Sequence, residues 1–208
     1  RHRPLVLGLL IALSGPAFAE DKCSVKAVLG GKPVTMKYCA AAVYDTEHSV
    51  TLYFSDTFFT PKELEAFHES SATPDKTADG KPRTMMHFAF CPGAGKTEAS
   101  ASAVKMVETS VEVAGSIFAS RQWVFDLPKD KDILKIEKLN GNVVLGGKFS
   151  GRITGGQVSD GLKYSWEADF DFTLPAKAAF GGQGCGPCPL GFHTATSVRA
   201  GAWPSQPW

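Results

Sequence analysis

The amino-acid sequence predicts an all-β protein, an antiparallel β-sandwich or barrel with one short α-helix. Most of the chain alternates apolar and polar side chains with a period of two, as half-buried strands do. Glycine, proline and Asn-Gly signals separate the alternating segments. Long helical patterns do not alternate with the strands, which argues against a parallel α/β fold. The sequence does not separate a sandwich from a barrel.

Strands are predicted along the chain wherever the alternation holds over several residues. Val50, Leu52 and Phe54, for example, alternate with polar or aromatic neighbours. The same pattern gives the segments Val25–Leu29, Val34–Cys39, Val50–Phe54, Arg83–Phe90, Val107–Val113, Gln122–Leu127 and Ile133–Leu139.

One helix is predicted between the third and fourth of these strands, from about Pro61 to His68. Thr60 and Glu63 have the spacing of a capping box, and Pro61 occupies the first helical position. Phe59 and Leu64 are placed to close a hydrophobic staple over this cap.

The clearest strand pair is a long hairpin formed by residues 148–154 and 162–174. Aromatic side chains fall on one face of residues 162–174, and charged or hydroxyl side chains fall on the other. Gly155-Gly156 and Asp160-Gly161 bracket the connection between the two segments.

The polar face of this hairpin carries the acidic row Glu167, Asp169 and Asp171. Antiparallel pairing would bring Lys148 and Arg152 close to this row. A calcium site is a second interpretation, but carboxylates spaced along a strand lack the ligand loop that calcium needs. We therefore expect salt bridges here.

Residues 1–19 have the layout of a secretory signal peptide: a basic start, the apolar run 5–13 and an Ala-x-Ala cleavage site that ends at Ala19. The run is shorter than the roughly 20 apolar residues that span a bilayer. The expected organisation is a signal peptide over 1–19, a β-rich domain over 20–175 and a Gly/Pro-rich, partly disordered tail over 176–208. The protein is expected to be exported, either periplasmic or secreted, and not membrane-spanning.

The near-neutral charge, with 22 Lys and Arg against 21 Asp and Glu, disfavours nucleic acid as a partner. Export favours disulfides among the five cysteines, and the odd number leaves at least one thiol over. The preferred pairings are Cys23 with Cys39 and Cys91 with Cys185.

Cys185-Gly186-Pro187-Cys188 resembles the redox dithiol of the thioredoxin family, in which the pair heads a helix that lowers the thiolate pKa. The resemblance implies thiol–disulfide or thiol–metal chemistry. Only 20 residues follow Cys188, and several are proline or glycine, so a long helix is not expected there. The favoured interpretation is one structural and one spare thiol.

Metal binding has one weak candidate, a soft-metal site for an ion such as copper at Met85 and His87, which share a strand face. The favoured interpretation is an ordinary strand face. The other histidines that follow the signal peptide, His48, His68 and His193, lack ligand spacing.

No Gly-x-Ser-x-Gly motif or other catalytic set is present, and no cofactor is indicated. The sequence therefore favours a non-enzymatic binding module for a small apolar ligand or an exported protein partner. Thiol chemistry through Cys185 and Cys188 is the alternative function, and a hydrolase whose site is assembled from distant residues is a third.

Overall fold

The computed structural model describes residues 22–44, 49–60, 63, 76–77, 79–91, 104, 106–116, 119–127 and 129–176. These residues form ten β-strands, and every pairing between strands is antiparallel. The strands are β1 (Lys22–Leu29), β2 (Lys32–Met36), β3 (Tyr38–Tyr44), β4 (Ser49–Ser55), β5 (Met85–Cys91), β6 (Met106–Glu112), β7 (Arg121–Asp126), β8 (Leu134–Gly141), β9 (Lys148–Ser159) and β10 (Leu162–Thr173).

The strands form two five-stranded sheets. Sheet A has the order β2-β1-β10-β9-β8, and sheet B has the order β3-β4-β5-β6-β7. Aromatic side chains from both sheets contact one another in a shared core, so the fold is a β-sandwich. The all-β prediction is confirmed, and the choice between sandwich and barrel is settled.

The chain passes from sheet A to sheet B at Lys37. The predicted strand Val34–Cys39 is wrong at this point, because its two halves belong to β2 and β3 in different sheets. The predicted Cys23–Cys39 disulfide is present and joins β1 to β3, with 6.4 Å between the Cα atoms. The bond therefore ties the two sheets together beside the crossing.

The β9–β10 hairpin is longer and tighter than predicted. Gly155 and Gly156 lie inside β9, and the turn consists of Asp160 and Gly161 alone. Their φ angles of 49° and 77° are those of a two-residue turn whose twist matches the flanking strands.

Aromatic rings from the two sheets are in contact in the space between them, among many aliphatic side chains. The ring centroid of Phe90 in sheet B lies 5.5 Å from that of Phe149 and 6.1 Å from that of Phe170 in sheet A. Glycine at position 151 lets the Phe170 ring pack close to β9, since a Cβ at position 151 would lie 2.7 Å from that ring. Each large ring buried between the sheets removes much apolar surface from water, which stabilises the fold.

The capping box predicted before the helix is confirmed. The Thr60 backbone N–H donates to Glu63 Oε2 at 2.8 Å, and the Glu63 N–H donates to Thr60 Oγ1 at 3.2 Å. Apart from Glu63, the predicted helical residues 61–68 lie outside the described part of the chain.

Glu63 also anchors this cap to the sandwich. Its Oε1 accepts a 2.6 Å hydrogen bond from Nη2 of Arg83, which is fully buried just before β5. The predicted start of β5 at Arg83 is two residues too early. The Thr84 backbone N–H donates to the Asp56 side chain at 3.0 Å, so this residue does not join the strand ladder.

Candidate functional site

The outer face of sheet A carries charged side chains in stripes that follow the strands. Lys22 and Lys26 form a basic stripe on β1, and Glu167 and Asp169 lie beside it on β10, where Lys26 is paired with Glu167. Arg152 lies next to Asp169 on β9. Opposite charges thus alternate across the sheet.

Arg152 is held by three carboxylates. Its Nε lies 3.0 Å from Glu137 Oε2, its Nη1 lies 3.3 Å from Asp169 Oδ2, and its Nη2 donates to Glu167. All four side chains are about half exposed, so each pair contributes only about 0–1 kcal/mol to stability. The network therefore fixes the position of the guanidinium more than it stabilises the fold.

The expected salt bridges of the acidic row are confirmed for Arg152 but not for Lys148. The Lys148 Nζ donates instead to Thr173 Oγ1 at 2.7 Å, because these two residues are directly paired at the end of the hairpin.

Glu137 belongs to this network through a β-bulge that the sequence alone does not show. The pairing of β8 with β9 shifts between Ile136 and Lys138, so Glu137 is the extra residue on β8. Its Oε1 also accepts a hydrogen bond from Thr154 Oγ1 at 3.1 Å. Strict alternation cannot predict which way a bulged residue faces, so sequence analysis missed Glu137.

An open groove of about 670 Å³ lies on this face. Its polar lining comes from four strands: Lys22, Ser24, Glu137, Lys138, Ser150, Arg152, Asp169 and Asp171. A second groove of about 350 Å³ lies further along the same sheet, where Lys26, Thr154 and Glu167 contribute to its lining. The outer face of sheet A therefore has concave regions lined by both positively and negatively charged side chains.

The outer face of sheet B is largely buried, in contrast to that of sheet A. Ser49, Thr51, Ser55 and Met85 all point outward from the sandwich core and are nonetheless almost completely buried. The weak copper candidates Met85 and His87 lie on this face. Within the described residues, no group of three or more His, Cys, Asp or Glu is arranged to hold a metal ion. A soft-metal site there stays a prediction.

His87 is packed against Tyr53, with 5.7 Å between the ring centroids. Burial lowers the pKa of His87 from 6.5 to about 4. The imidazole is therefore neutral at pH 7 in the folded protein.

This burial predicts a pH-dependent stability. Between about pH 6.5 and 4 the unfolded chain binds a proton at His87 and the folded chain does not, so the free energy of unfolding should fall by up to about 1.4 kcal/mol per pH unit. In His87→Gln this contribution should disappear, as measured by urea unfolding at pH 7.0, 5.5 and 4.5. If wild type and His87→Gln lose stability in parallel over this range, the predicted contribution of His87 to the pH dependence is contradicted.

The remaining thiol predictions concern Cys91, Cys185 and Cys188. Cys91 is disulfide-bonded. Cys185 and Cys188 lie outside the described residues, so the pairing of Cys91 with Cys185 and any redox role of the C-terminal pair stay predictions. His48, His68 and His193 also lie outside those residues.

No family model, curated protein or solved structure matches this chain. Among the described residues, no helix is long and apolar enough to cross a membrane. Function must therefore be inferred from the faces of the sandwich.

Proposed function

We propose that this chain is an exported, non-enzymatic binding module that contacts a protein partner through the outer face of sheet A. The observation that carries the proposal is the groove of about 670 Å³ whose lining includes Arg152 together with other side chains of both charges. Protein surfaces recognise such faces through complementary charge, which also steers the encounter.

A protein partner is favoured over a small apolar ligand held in the groove. The polar lining includes Lys22, Lys138 and Asp171, whose desolvation by an apolar molecule would be unfavourable without compensating hydrogen bonds. A partner protein can supply those bonds with its own charged and polar side chains.

Preorganisation of Arg152 also supports the proposal. Three carboxylates from two strands hold its guanidinium in place before any partner arrives. A side chain that is already ordered loses less conformational entropy on binding, which favours affinity.

Export is part of the proposal and is supported by the signal-peptide pattern of residues 1–19. The Cys23–Cys39 disulfide suits an oxidising compartment. The intact mass of protein recovered from the periplasm or medium should match a chain that begins at Glu20. Recovery from the cytoplasm with residues 1–19 attached would contradict export.

Site-specific photocrosslinking tests the binding face. A photoreactive amino acid at Ser150, inside the groove, should give a discrete protein adduct in the native host, because a partner seated there contacts this position. Adding Arg152→Glu should reduce the adduct about tenfold, because it reverses the charge of one groove residue and removes its ion pairs.

The matched control places the same photoreactive residue at Gln122, which is exposed on edge strand β7 of sheet B. This position should give no such adduct. Equal adducts at the two positions, or an adduct indifferent to Arg152→Glu, would reject sheet A as the binding face.

A further inference from the structure

A group of short side chains on the outer face of sheet B is buried, although the face points away from the core. Phe90 faces the space between the sheets, so its neighbours Ala89 and Cys91 point to the opposite side. Thr51, paired with Ala89, and Ser49 lie on the same side. None of these four is more than 4% exposed. Side chains this short do not cover one another, so the face is covered by something else.

The disulfide of Cys91 identifies what covers it. The chain has five cysteines, and Cys23 and Cys39 are bonded to each other. Cys91 is also disulfide-bonded. Its partner within the chain is therefore Cys185 or Cys188, and either choice implies that the C-terminal part of the chain meets the outer face of sheet B.

The end of β10 is near enough to Cys91 for this bond. The Phe90 ring, next to Cys91, contacts that of Phe149, which is paired with Phe172 one residue before the end of β10. Packed sheets lie about 10 Å apart. Cys185 is nine residues beyond the last described residue, and nine extended residues span up to about 30 Å. This length is enough to pass around the sandwich from sheet A to the far side of sheet B.

We propose that the outer face of sheet B is the docking surface for residues 177–208 of the same chain, which we call the C-terminal segment. A disulfide from Cys91 to Cys185 or Cys188 holds the segment there, and the other cysteine is the thiol left over. The C-terminal pair is thus part of a structural tether and not a separate redox dithiol. This surface lies on the other sheet from the proposed partner-binding face and does not depend on it.

The composition of the C-terminal segment suits such a surface. The segment contains four large aromatic residues, one Lys, one Arg and neither Asp nor Glu. The face that it would cover is largely uncharged, with Tyr53, Met85 and Ala89 among its buried side chains. Removal of apolar surface from water on both sides therefore adds to the hold of the disulfide.

Non-reducing peptide mapping of the full chain, after alkylation of free thiols with iodoacetamide, tests the bond. Trypsin places Cys91 in peptide 84–96 and both C-terminal cysteines in peptide 178–199. The expected product joins these two peptides and carries one alkylated thiol. An alkylated Cys91 beside a disulfide within peptide 178–199 would overturn the proposal. So would peptide 84–96 joined to a second copy of itself.

Oxidation of methionine by dilute hydrogen peroxide tests whether the C-terminal segment covers the face. Cys185→Ser/Cys188→Ser unties the segment and leaves sheet B unchanged. Met106, paired with Cys91, should then be oxidised about threefold faster than in wild type, because oxidation follows exposure. Met36, fully buried between the sheets, is the internal control and should keep its slow rate.

Equal oxidation rates of Met106 in wild type and in the double variant would overturn the docking. Faster oxidation of Met36 would mean that the double variant folds poorly. In that case Cys91→Ala unties the same segment, and the rates of Met106 and Met36 in this second variant decide the outcome in the same way.

Discussion

Replacing Phe90 by alanine should lower the free energy of unfolding by about 4 kcal/mol, which is a large part of the total stability of a domain of this size. The Phe90 ring is fully buried in sheet B and contacts Phe149 and Phe170 of sheet A. Its removal leaves a cavity between the sheets that three rigid strands cannot close. Urea unfolding followed by circular dichroism measures the loss.

The matched control is Val158→Ala on the β9–β10 hairpin, where the side chain is 71% exposed. Its effect should stay within about 0.5 kcal/mol, since no core contact is lost. A loss below about 1 kcal/mol for Phe90→Ala would mean that the ring contacts between the sheets do not stabilise the fold as described.

Glu63→Gln should lower the free energy of unfolding by about 3 kcal/mol, because it removes a carboxylate that pairs with the buried Arg83 guanidinium. Arg83 is completely buried, and its Nη2 donates to Glu63 Oε1 at 2.6 Å. The Arg83 Nε donates to Thr57 Oγ1 at 3.2 Å. The guanidinium therefore holds the cap before the predicted helix against the sandwich, and the neutral amide of glutamine cannot balance its charge.

The effect of Glu63→Gln should depend on pH. Desolvation raises the pKa of Glu63, but hydrogen bonds from the Thr60 N–H and from Arg83 outweigh it and lower the pKa below 4.5. A carboxyl group with a lowered pKa stabilises the fold above its unfolded pKa of about 4.3, and this contribution is lost as the pH falls through the folded pKa. The difference in unfolding free energy between wild type and variant should thus be complete at pH 7 and shrink towards pH 3.

Asp79→Asn provides a control with an ion pair of the same length. Asp79 Oδ2 lies 2.6 Å from Lys81 Nζ, but both side chains are more than half exposed. This substitution should change stability by less than about 1 kcal/mol at pH 7. If Glu63→Gln and Asp79→Asn lower the free energy of unfolding equally, burial of Arg83 does not determine how much its ion pair stabilises the fold.

The sequence predicted most strands because period-two alternation reports directly which face of a strand is buried. The hairpin face with Trp166, Phe170 and Phe172 is buried as the pattern requires. The part of β3 after Cys39 was not predicted, because the run of small residues at Ala40–Ala42 does not alternate. Both of its faces are largely buried, so its sequence shows no polar side.

The candidate site was only partly predictable. Arg152 beside the acidic row follows from register, since residues paired across a hairpin share a face. Glu137 could not be placed, because a bulge shifts β8 by one residue. Trp123 and Trp166 belong to different sheets, and no local pattern reports which distant rings will stack.

Local sequence pattern was enough to predict the all-β character of this protein, the inward face of its long hairpin and the capping box at Thr60. These features depend on neighbours along the chain, whose spacing is set by backbone geometry. Packing of the two sheets sets the crossing at Lys37, the burial of Arg83 and the stacking of Trp123 on Trp166. Each of these depends on contacts between segments far apart in sequence, and such contacts form only when the two sheets pack.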